Sequence, residues 1–201
     1  MKDFAQKSRR NYNLIAENYD ETLDGKFTEK FKELLLDEIQ IEAKEKILDV
    51  ACGNGSLLKM ISNKCNIKGY GIDISERMIE YAERKCPDMT FQVGGCENTT
   101  FDNQMFDVIT VCAAYHHFPD VKAFAKEAYR ILRPCGRLYI AEVYYPFLIR
   151  LLCNPFIPLS KAGDVKFYSP QEIQRNFEIY GFKQNRFKRE GHIQIIGMLR
   201  L

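Results

Sequence analysis

Apolar positions recur along this chain in two rhythms, and their succession lays out an architecture. Over residues 4–18 the spacing is helical, with Tyr12, Ala16 and Tyr19 on one face at i, i+4 and i+7. A second amphipathic helix is expected over 28–39, where Thr28 is a candidate cap, Phe31, Leu34, Leu35 and Ile39 are apolar, and lysines and glutamates lie opposite. Short apolar runs then alternate with helical spacing. Strands are expected at 47–49, 67–72, 90–93, 106–112 and 137–142, separated by helices at 57–63, 76–85 and 121–132. Ser75 is placed to cap the second of these helices, Pro87 stops it, and Arg133 with Pro134 stops the third. Ser169, Pro170 and Glu172 form a capping-box start for a last helix that runs to Tyr180 and ends at Gly181. Residues 182–188 and 193–199 alternate as a closing antiparallel hairpin that turns at Glu190 and Gly191. Strands and helices in alternation, joined by right-handed crossovers, make an α/β fold with a mostly parallel sheet covered on both faces.

Composition narrows this picture. With 201 residues and 46% hydrophobic content, the chain is long enough for one well-buried domain and short for two. A net charge of +2 predicts no general affinity for nucleic acid. The seven cysteines are an odd number without CxxC spacing, so neither a disulfide framework nor a zinc site is expected, and they read as small buried hydrophobes in a reducing cytoplasm. The N-terminal MKDFAQKSRRNYN lacks the apolar core of a secretory signal. The apolar region 143–159 is broken by Arg150 and by Pro146, Pro155 and Pro158, so no stable membrane insertion is expected.

The candidate chemistry lies at ILDVACGNGSLL, residues 47–58. An apolar run ends in Asp49, turns through Gly53 and Gly55, and opens into a helix. Glycine tolerates positive φ and lets the backbone approach a ligand, and the helix N-terminal amides point at whatever sits there. The next strand ends in Asp73, eighteen residues after Gly55, where a carboxylate can accept from both hydroxyls of a ribose. A dinucleotide fingerprint would want Gly or Ala at position 58, which is leucine here. A carboxylate at Asp49 would repel a pyrophosphate but could hold an ammonium.

Asp49, Val50, Ala51, Cys52, Gly53, Asn54 and Gly55 resemble motif I of the class I S-adenosylmethionine-dependent methyltransferases, an acidic residue and two variable or small residues before Cys-Gly-x-Gly. YNLIAENYD resembles the N-terminal Y-x-x-x-A-x-x-Y-D motif of small-molecule members. ILRPCGRLYIAE resembles their Leu-x-Pro-Gly-Gly strand-five motif, with Cys135 in place of the first glycine and therefore an expected φ below zero. CAAYHHFPD resembles the strand-four segment of the quinone-biosynthesis type, and it lacks the two prolines of enzymes that methylate nucleobase amines.

The resemblance implies a Rossmann-like seven-stranded sheet with an antiparallel last strand, a single domain whose N-terminal helices (1–42) cap the cofactor mouth, and a lid at 143–167. S-adenosylmethionine is the implied cofactor, S-adenosylhomocysteine its product, and a small-molecule acceptor the partner. The implied cofactor contacts are Tyr19, Asp49, Ala51, Cys52, Gly53, Gly55, Asp73, Ile74, Met78, Cys96, Glu97 and Cys112. Where relatives carry Gly-Asp-Ala-Glu, this chain has Gly95 at the aspartate position, so adenine falls to the Cys96 amide, to Glu97, or to apolar packing by Ile74 and Met78. Tyr12, Tyr115, Tyr144 and Tyr145 are candidates for the acceptor pocket.

His116 and His117 titrate near neutrality, so either could take a proton from the acceptor, or instead cap a helix and shape the pocket. The sequence shows no third ligand of suitable spacing, so no metal is expected. The apolar stretch after strand five fits an aromatic-acceptor cover, with a homodimer interface or membrane-surface contact as competing explanations. The alternatives to methyl transfer are a non-catalytic cofactor-binding module and a nicotinamide-dependent reductase, the latter disfavoured by Leu58 and Asp49.

Overall fold

The computed structural model describes residues 2–201. Five strands run parallel: β1 (Lys46–Val50), β2 (Lys68–Asp73), β3 (Thr90–Val93), β4 (Phe106–Cys112) and β5 (Leu132–Val143). The hairpin of β6 (Phe182–Glu190) and β7 (Ile193–Arg200) completes the sheet in the order β3-β2-β1-β4-β5-β7-β6, with β7 antiparallel to both neighbours. The order reverses between β1 and β4, the point at which open sheets of this kind leave a crevice at their carboxyl ends.

Period-two alternation divides the core between the two faces of the sheet. Leu48, Val50, Ile109, Val111, Leu138 and Ile140 pack on one side with Phe124 and Phe177, from α5 (Val121–Ile131) and α7 (Pro170–Glu178). Ile47, Val108, Tyr139 and Ala141 pack on the other with Phe31 and Leu35 of α2 (Leu23–Glu38) and Leu57, Leu58 and Ile61 of α3 (Ser56–Lys64). Leu58 is wholly buried, so the leucine that spoils a dinucleotide fingerprint serves the helix–sheet interface. The α4 helix (Glu76–Lys85) is capped by Ser75 and α7 by a complete Ser169–Glu172 capping box, both as the sequence indicates.

Four details depart from expectation. The first helix stops at Ile15, so α1 is Lys2–Ile15, and the chain continues as a 3-10 turn over Ala16–Glu21 with a kink at Asn18. The next helix begins at Leu23 rather than near Thr28, because Thr22 accepts from the Gly25 amide at 3.0 Å, whereas Thr28 donates to the Gly25 carbonyl from inside the helix. Strand β5 follows α5 directly and passes through Cys135 at φ +61, so the expected φ below zero is wrong and the cysteine adopts the left-handed conformation that favours glycine. The region 143–167 holds α6 (Phe147–Cys153) and a 3-10 turn at Ile157–Leu159. Its apolar side chains Phe147, Leu148, Leu151, Leu152, Phe156 and Leu159 are exposed instead of folded over the crevice.

The N-terminal helix is tied down at both sides of that crevice. Asn13 accepts from Ser75 Oγ at 2.6 Å and from the Arg77 amide at 3.2 Å, next to β2. Ser8 Oγ donates to the Ala162 carbonyl at 2.8 Å in the segment that follows α6. Gly163 has φ +81, and a Cβ there would come within 2.6 Å of the Phe4 carbonyl oxygen, so this junction needs glycine. In the turn after α1, Asp20 accepts from Asn54 Nδ2 and Lys85 Nζ, each at 2.9 Å. Among the described residues no helix is long and apolar enough to cross a membrane.

Candidate active site

The tips of β1, β2 and β4 meet at the crevice. Past β1 and β4, Ala51 and Ala113 hold φ of +55 and +52, left-handed conformations that cost a non-glycine residue roughly 1–2 kcal/mol. Alanine presents the smallest side chain able to do this, and both residues line a cavity of about 820 Å³, counting the part open to solvent. Gly53, at φ +51, has nothing within 4 Å of where a Cβ would sit, so the backbone lies bare against the same space. Around it stand Tyr12, Tyr19, Asp73, Ile74, Met78, Gly95, Cys96, Glu97, Cys112 and His117.

Asp73 is held rigidly. One carboxylate oxygen accepts from the Gly53 amide at 2.9 Å and the other from the Ser75 amide at 2.9 Å, so the glycine turn and the strand tip are one hydrogen-bonded unit. A carboxylate has about four acceptor sites, which leaves capacity for a ligand's hydroxyls. Burial raises its pKa, opposed by the amides of Ser75 and Gly53. Asp49, nearly fully buried, accepts from Thr110 Oγ1 at 2.7 Å. Burial pushes its pKa up to about 7, against the Thr110 hydrogen bond and the charge of Lys32. With Cys52, Tyr19 and Lys32, Asp49 lines a narrower cleft that also touches Ala51, Gly53 and Cys112. The two carboxylates stand on adjacent strands, with Val50 opposite Ile72 in the register.

A second cavity, about 670 Å³ with its open part, lies beyond the first. Tyr12, Tyr19, Ala113 and His117 line both, forming a shared wall. The outer cavity adds Asp24, Phe27, Thr28, His116, Tyr145, Asp164 and Phe167. Tyr12 Oη lies 3.0 Å from His117 Nε2, and Tyr19 Oη 3.3 Å from Thr28 Oγ1. Burial pushes the Tyr19 hydroxyl up to about 12 and the Tyr12 hydroxyl well above its ordinary range, so both stay neutral.

The two histidines are not free imidazoles. Glu142 accepts from His116 Nδ1 at 2.8 Å and from the His116 and Val143 amides at 3.1 and 2.6 Å. Burial by itself would lower the His116 pKa, but Glu142 and then Asp164 raise it; His117 is lowered, by burial and by the charge of His116. The sequence offers no third ligand near them, yet the fold brings one: donor atoms of His116, His117 and Asp164 all lie within 4.8 Å of one another.

Three expected site residues fall elsewhere. Gly55 lines none of these cavities; a Cβ there would meet Ala82 Cβ at 3.1 Å, so this glycine allows α3 and α4 to pack. Tyr115 is fully buried among Phe118, Phe124, Tyr168 and Phe177, because the 3-10 turn Tyr115–His117 points it into the core, where its hydroxyl accepts from Asn176 Nδ2 at 3.2 Å. Tyr115→Phe should therefore lower stability by about 1 kcal/mol in urea unfolding and leave ligand affinity unchanged by calorimetry. Tyr144 lies under the Arg189 guanidinium, 4.2 Å from the ring centroid, and lines neither main cavity. Missing from the expected set were Lys32, Thr110, Asp24, Glu142 and Asp164. Lys32 sits one helical turn after Thr28, a spacing that puts both on one face and was readable in principle.

Comparison with known proteins agrees with this geometry. Residues 48–140 match the family described as a methyltransferase domain. The demethylmenaquinone methyltransferase of Thermotoga maritima is 33% identical over 145 residues, covering 68% of this chain and 62% of that protein. That of Chlorobaculum tepidum is 34% identical over 109 residues, covering 54% of this chain and 45% of that protein. The chain thus spans about half to three-fifths of the length of these relatives. Among solved structures, a putative methyltransferase in complex with the Haloferax volcanii Trm112 methyltransferase activator superposes with a TM-score of 0.83 at 17% identity, covering 94% of this chain and 97% of that one. Geranyl diphosphate C-methyltransferase from Streptomyces coelicolor A3(2) superposes with a TM-score of 0.76 at 12% identity and 98% coverage of both; identities this low speak to fold alone. From β1 into β5, then, the chain is similar to the methyltransferase domain family, and the curated relatives it matches are methyltransferases by name.

Proposed function

We propose that the chain transfers a methyl group from S-adenosylmethionine to a small apolar or aromatic acceptor. The observation that carries this reading is the pair of cavities with a common wall. The inner one is bounded by the strand-tip carboxylate and the bare glycine turn, the outer one by Tyr145, Phe27 and Phe167, and they meet at Tyr12, Tyr19, Ala113 and His117.

The inner residues fit the cofactor. Asp73 would take the ribose hydroxyls, and the Asp49 and Lys32 pair beside the narrow cleft matches the opposite charges of a zwitterionic amino acid. Ile74, Met78, Cys96 and Glu97 line the same cavity and would supply the apolar and polar contacts for adenine that Gly95 cannot. The cofactor supplies an activated sulfonium methyl when bound, so the protein's task is alignment and exclusion of water. Tyr12 and Tyr19, neutral and pinned by His117 and Thr28, hold the wall through which the methyl passes. The flanks of the segment after β5, Tyr145 and Phe167, would face the acceptor, while its exposed middle does not.

The relatives named demethylmenaquinone methyltransferases make a reduced naphthoquinone the first acceptor to try. Incubation of purified protein with S-adenosylmethionine and a panel of hydroquinones and phenols should yield S-adenosylhomocysteine in an acceptor-dependent manner. Binding of the cofactor with no turnover on any acceptor would favour the non-catalytic module instead.

A further inference from the structure

We infer that His116 Nε2, His117 Nδ1 and Asp164 Oδ1 form a binding site for a divalent ion of the zinc class, at the edge of the outer cavity. The argument begins with the partners of the opposite ring nitrogens. Glu142 is buried and accepts from His116 Nδ1, which places one proton there and leaves Nε2 to carry a second proton or a metal ion. Nε2 is 3.5 Å from the Asp164 carboxylate. Two acceptors this close repel unless a cation or a further proton stands between them.

His117 tells the same story from the other side. Its Nε2 is engaged by Tyr12 at 3.0 Å, and its Nδ1 is a buried ring nitrogen without a hydrogen bond. Asp164 Oδ1 is 3.0 Å from that Nδ1, close enough for the two to share a proton or to be ligands of one ion. Donors bound to zinc at about 2.0–2.1 Å in a tetrahedron lie roughly 3.3 Å apart, and the two separations to Asp164 bracket this value. Each histidine thus has its outer nitrogen oriented by a second group, Glu142 or Tyr12, as metal-ligating histidines do. Asp164 is brought in by the backbone: the Val165 amide donates to the His116 carbonyl at 2.8 Å.

Two histidines and one carboxylate leave at least one coordination position open. All three residues line the outer cavity, so that position faces the space assigned to the acceptor. An ion there would bind an acceptor hydroxyl and lower its pKa, so that the proton passes to water at the open side of the outer cavity and the oxygen stays on the ion as the more nucleophilic anion, with the histidines acting as ligands rather than bases. This last step rests on the proposed methyl transfer; the ion site does not.

The test separates the two. Chelator-treated protein titrated calorimetrically with zinc alone should bind one ion per chain with submicromolar affinity, magnesium should not compete, and cobalt should give visible d–d bands without sulfur-to-metal charge transfer. Asp164→Asn and His117→Ala should each weaken zinc at least 30-fold, while His192→Gln, at the one histidine outside the cluster, should leave it unchanged. Zinc should raise the melting temperature of the native chain and of His192→Gln but not of folded Asp164→Asn. No stoichiometric binding, cobalt spectra dominated by thiolate, or undiminished binding by folded Asp164→Asn would overturn the inference and leave a hydrogen-bonded histidine–aspartate cluster. These readouts need no acceptor, so they stand or fall apart from turnover.

Discussion

Asp73→Ala should weaken S-adenosylmethionine binding by about 10- to 100-fold, the equivalent of losing hydrogen bonds to a charged acceptor worth roughly 1.5–3 kcal/mol. The carboxylate has two tasks, and the substitution removes both. It would no longer offer acceptors to the ribose, and the Gly53 and Ser75 amides that it ties together would lose their partner. Calorimetry gives the affinity, and a melting curve confirms that the variant is folded. An unchanged affinity in folded protein would take Asp73 out of the binding site and, with it, the reading of the inner cavity.

The second expected result concerns pH. Asp49 titrates near 7 because burial outweighs the Thr110 hydrogen bond and the Lys32 charge, with Asp73 pushing in the same direction as burial. An ammonium is attracted only to the ionised form. Affinity for the cofactor should therefore fall as pH drops below about 7, by up to tenfold per unit, and level off above it. The stability of the ligand-free chain should move the opposite way. A carboxyl whose folded pKa is raised from 3.8 to about 7 stabilises the fold at low pH and loses that contribution as pH rises through this window. Asp49→Asn should flatten both profiles around pH 7 and, at pH 8, raise the melting temperature of the ligand-free protein by removing a buried charge. Calorimetry and melting across pH 5–8 check both; a native affinity that does not change with pH would mean that Asp49 does not hold the ammonium.

The succession of elements was legible because this sheet is built from continuous apolar strands and capped helices. Ser75, Ser169 with Glu172, and the run Phe106–Cys112 all behave as their local chemistry dictates. What escaped was decided by tight turns and by contacts distant in the chain. Thr22 rather than Thr28 starts α2, because the 3-10 turn before it delivers the chain at that point. Tyr115 and His116 are neighbours in sequence, yet a tight turn sends one into the aromatic core and leaves the other against Glu142. The carboxylates at strand tips could be named from spacing, since β1 and β2 are consecutive and parallel. Asp164 could not, because its place beside the histidines depends on the fold of the segment after β5.

The attachments of α1 have a kinetic consequence. One helix is bonded to the β2 side through Asn13 and to the far segment through Ser8, and its Tyr12 stands in the partition between the chambers. A displacement of α1 would therefore widen both cavities at once. Under the proposed methyl transfer, exchange of spent donor and of product should thus share a single motion of α1, and a slow step in it would limit turnover whichever molecule departs first.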